Sequence, residues 1–406
     1  MRGSVRRAWP LLAVVALLGI GATAVHKQVR DGNDFPIYWQ AARDLLAGRS
    51  PYDVGTGLHG YVYLPWFAWA LVPLALLPLP AAAWCWLVAN VAFTWLAGRA
   101  LLETMRDAGV QAHPLALAFA TFPLVALFHD NLVLGQANLL LLLLVALAVR
   151  GAAGGFPLGY AAVLKMPAAV LALPLALRAR VRTLLGVALG LVFAIGIPLL
   201  APGGGARLAE WREKVIAPAA AGELQGSKII DQSPQAALRR LLVAGPAFGD
   251  HAVNVMSLDP PTFARVSRVT SLVFLAGYVI VWLVAPGRGS PRALLIDLAL
   301  GCCAMVQLTG FSLKAQFVVL LLPAWLAASL AWERRARALR VLLGVAAALF
   351  LLSQPGLVGR EASNWMLAWS SMTIATVILA KVLAWLRLTL PPSAAPAGAP
   401  GTGTAR

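Results

Sequence analysis

Two ionisable residues stand where ionisable residues are costly, and their types suggest a group transfer. Asp34 lies where the first apolar run, Ala8 to Val25, gives way to polar chain. A carboxylate at a membrane–water boundary can take the proton of an acceptor alcohol as its oxygen attacks. Lys165 sits near the middle of the apolar run Phe156 to Leu177, where a charge costs about 2.5 to 3.5 kcal/mol. It therefore needs an anion, and a lipid phosphate held between helices would supply one. Pro167, two residues on, can open the helix so that the ammonium reaches a cavity. A hydrolase would instead want two carboxyls flanking the sugar. The plainer roles are a helix cap for Asp34, and for Lys165 an ion pair with Asp130 or Asp297, or snorkelling.

Asp34 opens the segment Asn33 to Tyr52, in which Phe35, Tyr38, Ala41, Ala42, Leu45 and Leu46 recur at helical spacing before Gly48. With Asn33 or Asp34 as cap and Pro36 in the first turn, the spacing predicts a short helix on the membrane surface. The rest of the chain is built to be membrane. Of 406 residues 60% are hydrophobic and 12% charged, a composition outside that of soluble domains. The net charge of +17 would suggest nucleic acid in a soluble protein. Here the arginines gather in short loops between apolar runs, where they orient spans, and no nucleic-acid partner is expected. Cys85, Cys302 and Cys303 all lie in apolar runs and form no disulfide framework.

Hydropathy predicts an all-α polytopic bundle of about twelve spans. They begin near Ala8, Val62, Ala81, Pro114, Leu134, Phe156, Thr183, Val266, Ala293, Gln316, Ala338 and Met366. The first, behind Arg2, Arg6 and Arg7, reads as an uncleaved signal anchor, with Ala22-Thr23-Ala24 as the alternative cleavage site. Asp34 then emerges on the extracytoplasmic side. Alternation puts the basic loops Arg178 to Arg182, Arg288 to Arg292 and Glu333 to Arg340 inside, and leaves one basic loop, Arg99 to His113, outside. Residues 1–390 form one transmembrane domain, with external loops at 26–61 and 201–265. The second loop carries an amphipathic stretch, Ala206 to Ile216, and a helix over Gln235 to Leu242 capped at Ser233-Pro234. Residues 391–406 read as a disordered cytoplasmic tail.

Other polar residues carry two readings each. Gln136 and Asn138 open an apolar run and suit glue between helices, with substrate contact as the sharper role for Gln136. Gln232, ahead of the capped helix, either reaches over the site or is a loop amide. Arg239 and Arg240 suit a solvated face, or a phosphate clamp. Tyr38, Tyr52, Tyr61 and Tyr63, with Trp39 and Trp66, read first as an aromatic belt, and Tyr38, Tyr52 and Tyr63 second as sugar contacts. The histidines show no metal-ligand spacing, so no metal and no bound cofactor are expected.

The ordered landmarks Asp34 with Tyr38, Gly48, Pro51-Tyr52, Tyr61-Val62-Tyr63-Leu64-Pro65, Gly135-Gln136-Ala137-Asn138, Lys165-Met166-Pro167 and Asp231-Gln232-Ser233 resemble those of glycosyltransferase family 87. The resemblance runs from the first span to beyond Lys314. It implies a GT-C fold in a bacterial cytoplasmic membrane, with the active site facing outward. The activity it implies moves a sugar, mannose first, from a polyprenyl-phosphate donor to a glycolipid or envelope glycan. In place of the family's late Ser-Trp-x-His-His the chain reads Ser312-Leu313-Lys314-Ala315-Gln316, without the Trp and both His. Lys314 and Gln316 become candidates for donor phosphate or sugar hydroxyls, Lys314 being equally placed as an interfacial anchor. On this reading Asp34 is the base, and Lys165, Lys314, Gln316 and Gln232 surround the donor. A flippase for lipid-linked sugars would show internal symmetry between halves, which is not evident, and an envelope scaffold would need no external carboxylate.

Overall fold

The computed structural model describes residues 18–30, 33–53, 60–151, 155–220, 229–287 and 289–391. The expected tail and the basic residues of the N-terminus fall outside these. Among the described residues the protein is helical, with only two isolated β-bridges. The helices used below are α1 (18–28), α2 (Asp34–Leu46), α3 (Leu79–Asp107), α4 (Pro114–Leu134), α5 (Asn138–Val149), α6 (Phe156–Leu164), α7 (Met166–Ala176) and α8 (Val181–Leu199). There follow α9 (Gly204–Trp211), α10 (Pro234–Leu242), α11 (Pro260–Val284), α12 (Pro291–Gln307), α13 (Lys314–Glu333), α14 (Arg337–Leu352), α15 (Arg360–Ala368) and α16 (Ser371–Leu388). Six of them, α3, α4, α8, α11, α13 and α16, are long and apolar enough to cross a membrane. Their outward faces are apolar, as at Val88 and Val91 on α3, Leu185 and Leu189 on α8, and Val269 and Leu272 on α11. Such faces need lipid rather than water. The protein is a polytopic membrane helix bundle with α13 at its centre, 78% of its apolar window being buried.

Ion pairs and hydrogen bonds sort the helix ends into two sets. At one end Glu103 of α3 meets Arg150 after α5 at 2.6 Å, and Arg292 of α12 bonds Gly109 O at 3.2 Å and pairs with Glu333 of α13. Arg334 there donates to Thr389 just past α16. At the other end Gln28 of α1 donates to Leu132 O of α4, Lys314 pairs with Asp130, and Thr373 of α16 donates to Gln232 O. The loop after α3 thus lies with the other basic loops, against the expectation for Arg99 to His113.

The reason is that the segment expected to cross from near Val62 does not run straight across. It forms two short helices, Pro65–Ala70 and Val72–Ala75, about 15 Å of helix against the roughly 30 Å a crossing needs. Both its ends return to α2, where Tyr63 bonds Tyr38 at 3.0 Å and Trp39 donates to Leu77 O at 3.1 Å.

The apolar run Phe156 to Leu177 also folds back. Gly155 abuts Thr183 and Gly159 abuts Val187: a Cβ on Gly159 would stand 2.4 Å from Val187 O, and one on Gly190 2.3 Å from Phe156 O. Pairs that advance together mean α6 and α8 run parallel, so α7 must return the chain between them. Small residues allow this backbone approach. The result is a re-entrant hairpin whose tip is Lys165, in extended conformation (φ −143°, ψ 108°) between α6 and the 3-10 turn of α7. Lys165 is therefore at a turn, not in the middle of a span.

Candidate active site

Asp34 is positioned at the start of α2. Asn33 occupies the N-cap without a side-chain cap bond, its amide donating instead to Lys27 O. Asp34 is thus the first helical residue rather than the cap, where the helix dipole favours an anion. The helix closes with Gly48 at φ 71°, its N–H on Leu45 O and that of Arg49 on Asp44 O, the two bonds of a Schellman ending. Phe35 stacks on Trp86 with ring centroids 5.8 Å apart and presses on Gly135. A Cβ at Gly135, already at φ 69°, would stand 2.6 Å from that of Phe35. The glycine of the Gly135-Gln136-Ala137-Asn138 landmark is thereby required for the seating of α2.

One cavity of about 350 Å3 gathers Asp34, Tyr38, Tyr63, Gln136, Lys165 and Gln316. They come from α2, the stretch before Pro65, the α4–α5 turn, the hairpin tip and the start of α13. Asp34 lies near enough for its charge to act on Lys165 across the cavity. Lys165 forms no ion pair with any described residue, and the acids expected as its alternative partners are engaged: Asp130 by Lys314 at 3.4 Å, Asp297 by Arg178 and by Arg387 at 2.8 Å.

Tyr38 and Tyr63 are buried side by side, so the expected aromatic belt is an internal cluster here. Burial first, and the Asp34 charge second, hold both phenols well above their usual pKa. They are hydrogen-bonding groups and not bases. Gln136 lines the cavity and also belongs to a bond network between helices. Its Oε1 accepts from Asn138, which also bonds Asn131 at 2.9 Å, and Asn131 reaches Ala315 O at 2.9 Å, joining α4, α5 and α13.

The roof was foreshadowed only by amphipathicity. The stretch expected at Ala206 to Ile216 is α9 continued by a π-turn, Arg212–Ile216, and it brings Trp211, Val215 and Ile216 to the cavity. It is pinned to the first loop by Trp211 Nε1 on Val62 O (3.2 Å), Ser50 Oγ on Glu210 (2.6 Å) and Lys214 on Asp53 (2.6 Å). Thr309, Gly310 and Phe311 form a further wall, for which the sequence offers no signal beyond a break after an apolar run. Among the described residues no three His, Cys, Asp or Glu gather as metal ligands.

The family model described as glycosyltransferase family 87 matches residues 61–309, more than half of the chain. The chain belongs to glycosyltransferase family 87. It is a membrane glycosyltransferase. A comparison with curated proteins finds no match. The family 87 match contains Tyr63, Gln136, Lys165 and Gln232 but stops short of Asp34, Tyr38 and Tyr52 on one side and of Lys314 and Gln316 on the other. The fold, not the match, brings Asp34 to Lys165.

Three candidate residues do not line this family 87 cavity. Lys314 is drawn to Asp130. Tyr52 donates to Tyr63 O at 3.0 Å and buttresses the wall from behind. Gln232 is wholly buried, its Nε2 shared between Ile229 O and Leu367 O at 2.7 and 2.8 Å. Ser233 caps α10 by accepting from Ala236 N–H. Arg240 is not on a solvated face. It is 3% exposed and binds Asp231 O, Ala368 O and Ser370 Oγ, and burial pulls its guanidinium down to about 10.

Proposed function

We propose that this glycosyltransferase moves a sugar from a polyprenyl-phosphate donor to a hydroxyl of a glycolipid or envelope glycan, with inversion, on the extracytoplasmic side of a bacterial cytoplasmic membrane. The observation that carries the reading is the meeting, in one cavity, of Asp34 on α2 and Lys165 at the hairpin tip. The acceptor oxygen bonds to the anomeric carbon while Asp34 takes its proton. The bond from that carbon to the phosphate oxygen breaks, and the electron pair leaves on the lipid phosphate. Lys165 faces the charge that develops there. Tyr38, Tyr63, Gln136 and Gln316 offer hydrogen bonds to sugar hydroxyls.

The distribution of charge supports this side of the membrane. The basic loops gather at the end of the bundle opposite Asp34, which the positive-inside rule puts in the cytoplasm. Nucleotide sugars are confined there, so a donor used outside has to be lipid-linked. The apolar roof residues Trp211, Val215 and Ile216 suit such a donor. Mannose is the sugar the family resemblance points to.

The test is sugar transfer in membranes from radiolabelled polyprenyl-phosphate sugars, with wild type beside Asp34→Asn. Product from wild type and at least ~1,000-fold less from the folded variant, about 4 kcal/mol of barrier, is the expected result. Equal product from both removes Asp34 as the base.

A further inference from the structure

A second cavity, of about 300 Å3, lies between α11, α12 and α16 and shares no lining residue with the first. Its walls are apolar: Val273, Phe274 and Val281 from α11, Leu300 from α12, Val377 and Ala384 from α16. A Cβ at Gly277, which also lines it, would meet nothing within 4 Å, so the space is open along α11. α11 is the least buried of the six long helices, at 11% of its apolar window, and the groove faces lipid.

Besides Tyr278, two polar side chains line this apolar groove. Gln307, 2% exposed, has its Oε1 occupied by the Tyr278 hydroxyl, and its Nε2 finds no acceptor. A buried amide N–H without a partner costs about 1 to 3 kcal/mol. The second is Lys381, ten residues after the start of α16 and seven before its end, thus about 15 and 10 Å from the two ends. No ion pair joins it to a described residue. Side chains on a helix lean toward its N-terminus, so Lys381 leans away from the nearer, basic end, and snorkelling there works against its own geometry.

We propose that this groove holds an anionic phospholipid of the surrounding bilayer, one acyl chain along α11 and the phosphate against Lys381 and the Gln307 amide. The groove supplies an apolar path, a cation without a counter-ion and a donor without an acceptor, which together describe such a lipid. The sugar donor's own phosphate is matched separately, by Lys165 in the first cavity.

The test is the lipid that stays with the full chain purified in mild detergent, extracted and quantified by mass spectrometry against protein. Wild type and Lys381→Arg retain a stoichiometric anionic phospholipid. Lys381→Ala, and Gly277→Leu, which fills the chain path and leaves the charge, retain about tenfold less, equivalent to roughly 1.4 kcal/mol, with unchanged helix content. If Lys381→Ala fails to fold, Gly277→Leu decides alone. Equal retention by wild type and Gly277→Leu overturns the proposal, and so does polyprenyl phosphate as the lipid that wild type retains and Gly277→Leu loses.

Discussion

The hairpin α6–α7 carries a charge at its tip and another at its foot, and the two are treated oppositely. At the foot Arg178 enters a closed network: Asp297, 1% exposed, takes Arg178 on one oxygen and Arg387 on the other, and Arg387 also donates to Pro286 O. That network ties the hairpin to α12 and α16. At the tip Lys165 opens on to a cavity, within reach of the Asp34 charge but in no ion pair with a described residue. In the sequence one is a charge inside the apolar run Phe156 to Leu177 and the other a charge at its end. Counting partners separates a charge that builds the fold from one that faces a cavity.

Asp297→Asn gives the largest effect expected. It leaves two buried guanidinium groups without their counter-charge, a loss of about 3 to 5 kcal/mol. Thermal melting in detergent should show a strongly lowered midpoint, and an unchanged one would mean that the foot network is not structural. Lys165→Met comes next and should act differently. Transfer falls about 100-fold, roughly 2.7 kcal/mol, while the melting midpoint holds, because this ammonium makes no ion pair with a described residue. A melt as damaged as that of Asp297→Asn would erase the distinction between tip and foot.

The class of fold was legible because composition and run length report on the bilayer directly. The helix α2 was legible too, since its apolar spacing and Gly48 are local signals that the structure reproduces. Chain direction was not, because hydropathy counts apolar residues without saying whether they run on or turn back. The turn at Lys165 is set by Gly155, Gly159 and Gly190, which let α6 lie against α8. Glycines scattered over two apolar runs become a signal only once the partner helix is known. Tyr38 and Tyr63 misled for a related reason: tyrosines near a membrane surface fit a belt, and only packing shows them 1% and 8% exposed. Asp34 and Lys165 share a cavity through contacts between segments 131 residues apart. Spacing suggested both and could not join them.

The smallest effect expected concerns Asp231, whose landmark Asp231-Gln232-Ser233 belongs with Asp34 to the set that carries the family resemblance. Asp231 is fully buried, with Oδ1 accepting the N–H groups of Ser233 and Ser312, both at 2.9 Å, and its backbone bridged to Leu313. It fastens the stretch leading into α10 to the chain just before α13. Burial raises its pKa, opposed by those N–H groups and by the Arg240 charge. A carboxyl that holds its proton more tightly folded than unfolded contributes stability fully below the ordinary value near 3.9 and loses it as pH rises through the folded value. Asp231→Asn keeps the Oδ1 acceptor and does not titrate. The variant should retain transfer activity and differ in stability by no more than about 1 kcal/mol, with wild type gaining on it in melting midpoint as pH is lowered. If instead Asp231→Asn abolishes transfer with an unchanged melt, the Asp231 charge acts on the reaction through the Thr309–Leu313 wall. Asp231 would then belong with the open charge at the tip and not with the closed one at the foot.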